Sequence, residues 1–140
     1  MYFSYFLYIF AKIYVQMATK IFLLMILLHV IDDFHLQGIL ANMKQKEWWR
    51  KQEGYNDLYK DDYKTALFIH SLSWAIIISL PFWWIQIPFG WIGLFVCINT
   101  AVHYYVDDLK ANKHKINLNT DQFIHFIQIF VTWFVLGYVI

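Results

Sequence analysis

Residues 65–106, TALFIHSLSWAIIISLPFWWIQIPFGWIGLFVCINTAVHYYV, run for 42 positions without an aspartate, glutamate, lysine or arginine. An α-helix needs about 20 residues to cross a hydrocarbon core of about 30 Å. The stretch is therefore too long for one membrane span and right for two. Pro81, Pro88 and Gly90 mark the turn between them. Trp83, Trp84 and Trp91 gather at that turn, as an aromatic belt does at the headgroup level.

The same test applied outward finds two more apolar runs. Residues 122–140 carry no charge, and residues 21–43 carry only Asp32 and Asp33. The sequence thus predicts an all-α, polytopic transmembrane helix bundle of about four spans, near 21–41, 65–83, 90–109 and 121–140. Composition agrees: 60% of the 140 residues are hydrophobic, 21% aromatic and only 15% charged, against about 45–50% apolar and about 25% charged in soluble domains. These values exclude a disordered chain, a collagen-like chain and a basic nucleic-acid binder, and membrane lipids are the expected surroundings. With a net charge of +1 there is no pull toward an acidic partner, and Cys97 alone gives neither a disulfide framework nor a CxxC motif.

Residues 1–20 are read apart from the four-span region 21–140. They begin dense in Tyr and Phe and are then interrupted by Lys12, Gln16 and Lys20. Without a basic leading region or a small-residue cleavage site they do not read as a signal peptide. The expectation is an aromatic helix lying in the membrane interface, or an extra hydrophobic helix. Of the eleven Lys and Arg, nine fall in or at the edge of loops 42–64 and 110–120, and none in the turn at 84–89. With four spans both basic loops lie on one side, which the positive-inside rule makes cytoplasmic in an inner membrane. Trp48, Trp49, Tyr55, Leu58, Tyr59 and Tyr63 alternate with charges in the first loop and predict an amphipathic helix against the inner leaflet.

Ionisable groups at membrane depth are costly and mark functional sites. His29, Asp33 and Gln37 are spaced by four in the first span, as are Asn99, His103 and Asp107 in the third; the second holds His70, and the fourth holds Asp121, Gln122 and His125. Positions i and i+4 share a helix face. Counted from the cytoplasmic boundaries, His70, His103 and His125 lie roughly 6–9 Å deep at about 1.5 Å per residue. Four antiparallel spans thereby bring their polar groups to one layer.

Imidazoles and carboxylates of this kind bind zinc, iron or manganese, and bundle cores build metal sites from inward-facing His and acid side chains. The metal set is His29, Asp33, His103, Asp107 and His125, with zinc the first choice among divalent transition metals. Asp33, Asp107 and His70 are the candidates for ligand, base or acid, supported by Gln37, Asp121 and Gln122. The alternative is that the His and Asp side chains only hydrogen-bond to one another. Asp32 and His35 are expected at the rim, and His114 and the pair Asn42 and Lys44 in solvated loops, the last two with a lesser prospect of binding a headgroup or phosphate. No GxSxG, Walker loop or dinucleotide fingerprint occurs.

The segment His29-Val-Ile-Asp-Asp33-Phe34-His-Leu-Gln37 resembles the HxxxDFxxQ signature of domain of unknown function 3307, a family of small bacterial and phage membrane proteins. Asn42, Lys44, His70, His103-Tyr-Tyr-Val-Asp107, Lys110, Asp121-Gln122 and His125 follow in matching order. The resemblance covers about residues 21–130 and implies a multi-pass membrane protein without a settled activity. More distantly, the chain resembles membrane-bound metal-dependent hydrolases.

Three functions stay open. One is a metal-dependent hydrolase acting on a lipid or lipid-linked phosphate. Another is a non-enzymatic phage or prophage effector that alters the host envelope or defence, acting as a homo-oligomer or on a host membrane protein. The third is an ion or proton pathway. The topology is directly testable: with Cys97 replaced, cysteines at Asn56 and Asn117 are expected to resist labelling from outside intact cells. Labelling at both inverts the orientation, and labelling at one changes the number of spans.

Overall fold

The computed structural model describes residues 2–139 and is helical throughout, with no strand among the described residues. Helix α1 spans Tyr2–Ile31 and continues as a π-helical turn over Asp32–Leu36. Neither glycine nor proline occurs before Gly38, so nothing interrupts the backbone ladder. Residues 1–20 were expected to form a helix of their own; instead α1 passes through positions 20 and 21 unbroken. Among the side chains described along it, the first that is buried is Ala18.

Gly38, with φ of +50°, reverses the chain after the π-helical turn. The connection to the next long helix is made of short pieces: α2 (Leu40–Met43), α3 (Lys46–Arg50) and a 3₁₀ turn at Asp57–Tyr59. The amphipathic helix expected across 42–64 is therefore absent. Gly54 at φ +80° breaks it, and the Asn56 side chain accepts from the Leu58 N–H and starts the new turn.

Helix α4 (Asp62–Ser79) runs into a 3₁₀ segment at Leu80–Ile85 that carries Pro81 at its start, and Gln86 in the left-handed region ends it. Helix α5 (Phe89–Ala111) follows directly after Pro88. So short a connection makes α4 and α5 antiparallel neighbours, and theirs is the most extensive helix pairing in the molecule. Asn117 caps α6 (Leu118–Phe134) by accepting from the Thr120 N–H at 2.9 Å, and a π-helical segment, Val135–Val139, continues it. Among the described residues, three stretches, Leu7–Leu36, Asp57–Ile85 and Phe89–Ala111, are long and apolar enough to cross a membrane.

The interior is divided along its length. One half is a wholly apolar cluster of Ile21, Met25, Trp74, Ala75, Ile78, Phe82, Ile92, Ile129 and Leu136. The other half, toward α2, holds buried His29, Asp33, Lys44, His70, His103, Asp107, Asp121 and His125. Trp74 belongs to both, with its indole separating the two environments. Phe82 is fully buried and Trp84 is 77% exposed. Phe82→Ala is accordingly expected to cost about 3–5 kcal/mol, while Trp84→Ala stays within about 0.5 kcal/mol, as read by reversible unfolding in detergent. Equal losses would contradict this core.

Candidate metal centre

Each helix contributes to the polar half through a local feature of its sequence. The π-helical turn at the end of α1 carries Asp32 and Asp33, both buried; such turns widen the helix and often occur at functional sites. Asp33 turns toward the centre. Asp32 does not lie at the rim as expected, but packs against α4, where Ser73 Oγ donates to its Oδ1 at 3.2 Å. On α5, His103 and Asp107 share a face, with Nε2 and Oδ1 3.7 Å apart. On α6, Asp121 lies in the first turn, where the helix dipole favours a carboxylate, and its Oδ1 is 3.5 Å from His125 Nε2. His70 of α4 faces Asp33, His103 and Asp107.

Three imidazole Nε2 atoms from three helices converge on three carboxylates. His70 Nε2 lies 3.1 Å from His103 Nε2, 3.4 Å from Asp107 Oδ2 and 3.5 Å from Asp33 Oδ1. His125 Nε2 lies 3.3 Å from Asp107 Oδ1. Ligand atoms held at about 2.0–2.1 Å around a tetrahedral zinc are about 3.3 Å apart, so these spacings fit a coordination shell. Their donor atoms form three overlapping triads, each within 4.8 Å: Asp33, His70 and His103; His103, Asp107 and His125; and Asp33, Asp121 and His125. These buried His and Asp groups can hold a metal ion.

Hydrogen bonding shows which imidazole nitrogen is free for that role. Gln128 Nε2 donates to the Asn99 carbonyl at 3.2 Å, leaving Gln128 Oε1 to accept from His125 Nδ1 at 3.1 Å. A proton thus sits on His125 Nδ1, and Nε2 faces two carboxylate oxygens. That arrangement calls for a cation between them, either a second proton on the ring or a metal ion. Asp121 Oδ1, fully buried, has no hydrogen-bond partner, and neither does His103 Nδ1. Such orphaned atoms are costly.

His29, expected among the ligands, is engaged elsewhere. Trp74 Nε1, which can only donate, gives its proton to His29 Nδ1 at 2.8 Å; His29 Nε2 then donates to Gln122 Oε1 at 3.1 Å. Gln122 in turn donates to Asp33 Oδ2 at 2.7 Å and Asp121 Oδ2 at 3.1 Å. His29 therefore acts through Gln122, which ties the carboxylates of α1 and α6 together. Gln37 donates to Asp33 Oδ1 at 2.5 Å. Gln37 falls where the i,i+4 pattern puts it, Gln122 reaches the centre from beside Asp121, and Asp121, expected only in support, supplies a carboxylate to the triads.

Lys44 overturns its assignment to a solvated loop. It is buried, and its Nζ donates to Asp107 Oδ2 at 2.6 Å. The Gly38 reversal folds α2 back over the end of the bundle. Asn112 then clips it to α5, donating to the Lys44 carbonyl at 3.1 Å and accepting from the Lys46 N–H at 2.7 Å. Lys110 pairs likewise with Asp121. Charge spacing along α5 gives a hint of Lys110, three residues after Asp107, but no periodicity connects Lys44 to a helix 63 residues away.

A cavity of about 370 Å³ opens beside this centre. Asp33, Gln37, Lys44, Lys110, His114 and Gln122 line its polar side, with Phe34 and Leu118, both exposed, at the edge. His114, expected in solvent, is exposed yet borders this space.

Compared with protein-family models, curated proteins and solved structures, the chain finds no match. The buried ion pair gives a direct test of the geometry. Lys44→Ala leaves Asp107 buried without its ammonium and is expected to cost about 3–5 kcal/mol. Lys51→Ala, at an exposed position, should stay within about 0.5 kcal/mol. If both variants melt alike, Lys44 does not reach the interior.

Proposed function

We propose that the protein is a four-span inner-membrane protein whose His/Asp centre binds a divalent transition metal, zinc in the first instance, and hydrolyses a lipid or lipid-linked phosphate at the cytoplasmic leaflet. The observation that carries this reading is His125 Nε2 facing two carboxylate oxygens, one of them without a hydrogen-bond partner, with His70 and His103 turned toward the same carboxylates. Charge is consistent with it. Asp33, Asp107 and Asp121 as carboxylates outnumber the two lysines, Lys44 and Lys110, that pair with two of them, so the centre calls for a further cation, a proton on an imidazole or a metal ion. The fourth crossing is assigned to α6 with its five-residue π-helical continuation, long enough at about 1.5 Å per residue to span a core near 30 Å.

A metal would be held by one of the triads that Asp33, His70, His103, Asp107, Asp121 and His125 form, and when bound would lower the pKa of a water and polarise a phosphoryl oxygen. The protein's own groups account for the rest. Lys44 and Lys110 face the cavity and can pair with phosphate oxygens, while Gln37 and Gln122 keep Asp33 in place. Asp107, fixed by Lys44, lies beside all three imidazoles and is placed to take a proton from water. Phe34 and Leu118 at the cavity edge suit a substrate whose remainder stays in the lipid. Of the residues that carry the resemblance to domain of unknown function 3307, Asp33, Lys44, His70, His103, Asp107, Asp121 and His125 lie in this centre.

The pathway reading has less support. The polar chain continues from His125 through Gln128 and Asn99 to Thr132, where the Thr132 hydroxyl turns back to the Gln128 carbonyl of its own helix.

The test is release of inorganic phosphate from a long-chain phosphate monoester in mixed micelles, with metal content measured alongside. Chelation should abolish turnover and zinc restore it. Lys110→Ala, losing a charge-assisted hydrogen bond of about 1.5–3 kcal/mol, should lower kcat/KM about ten- to hundredfold. Cys97→Ala, at an exposed position, should match wild type. A folded His125→Ala that keeps full turnover and full metal content defeats the proposal.

A further inference from the structure

The donor set exceeds what one ion needs, and its overlaps are ordered. Of the three triads, the first and second share His103, the second and third share His125, and the first and third share Asp33. An imidazole Nε2 has a single lone pair and serves one ion. A carboxylate has two oxygens and can serve two. Only one pairing of triads therefore fills both without asking one nitrogen to bind twice: Asp33, His70 and His103 on one side, and Asp33, Asp121 and His125 on the other.

We propose that the centre takes two divalent metal ions bridged by the Asp33 carboxylate. This rests on the metal-centre reading above and adds a second ion to it. The two oxygens of Asp33 already face opposite ways, Oδ1 toward His70 at 3.5 Å and Oδ2 toward Gln122 at 2.7 Å. The Gln122 amide spans Asp33 and Asp121, setting the two carboxylates of the second site side by side. Asp121 Oδ1, fully buried, 3.5 Å from His125 Nε2 and without a hydrogen-bond partner, is the atom that waits for this ion. Asp107, committed to Lys44, is not required by either triad and keeps Oδ1 between His103 and His125. Two dications with Lys44 and Lys110 leave the centre net positive, the sign that draws a phosphate group into the adjoining cavity. Paired ions about 3.5–4 Å apart serve such in-line displacements by clamping the attacking and leaving oxygens.

Manganese alone, added to the detergent-purified, metal-stripped chain, tests this without reference to activity. The titration should plateau at about two equivalents, and the loaded protein should give the electron paramagnetic resonance spectrum of an exchange-coupled pair. Asp121→Asn, checked for folding by its melting temperature, should fall to about one equivalent with an uncoupled six-line signal. A wild-type plateau at one equivalent, uncoupled, overturns the pair and leaves the single-ion centre standing. No binding of manganese or zinc overturns both. Should Asp121→Asn fail to fold, the wild-type spectrum decides alone.

Discussion

The buried carboxylate of Asp107 is the constraint on which the polar half of the bundle depends. It has no access to water and must be satisfied from within, so the fold brings it an ammonium from Lys44 and imidazoles from α4 and α6. Meeting that need fixes the register of α5 against its neighbours. It also requires the chain after α1 to turn back at Gly38 and present Lys44 from what would otherwise be a surface loop. A buried charge deprived of its partner is severely destabilising, whereas hydrophobic contacts between helices tolerate small shifts. The ionic half thereby specifies the arrangement, and the apolar half supplies contact area.

The division between the halves also bears on function. Trp74 closes the centre from beneath, stacking on His103 with ring centroids 4.3 Å apart while its N–H fixes the tautomer of His29. The cavity opens the centre on the opposite side, next to lysines and exposed apolar residues. The centre is therefore open toward that end. That suits a site acting on a headgroup at a membrane surface better than a route through the membrane.

Much of this was legible in the sequence, for identifiable reasons. Charge-free runs report helices long enough to cross a bilayer, because the bilayer tolerates little else. The i,i+4 spacing of His103 with Asp107 and of Asp121 with His125 reports a shared face, because helix geometry leaves no choice. What escaped depends on tertiary placement. His29 has the same spacing from Asp33, yet Trp74 and Gln122 claim its nitrogens. Lys44 looked like any loop lysine, since only the reversal at Gly38 and the clip of Asn112 carry it inward. The amphipathic pattern of 42–64 was real as composition, but Gly54 and the Asn56 turn divide it. At residues 20 and 21 a change in composition was taken for a change in structure, although nothing there ends a helix.

The most direct test of the central claim is X-ray absorption at the zinc edge on the purified, zinc-loaded chain. The account predicts a first shell of nitrogen and oxygen at about 2.0–2.1 Å, with the multiple-scattering pattern of coordinated imidazole. Zinc bound with no imidazole scattering would contradict it, because the three histidines would then be holding the fold and not the metal.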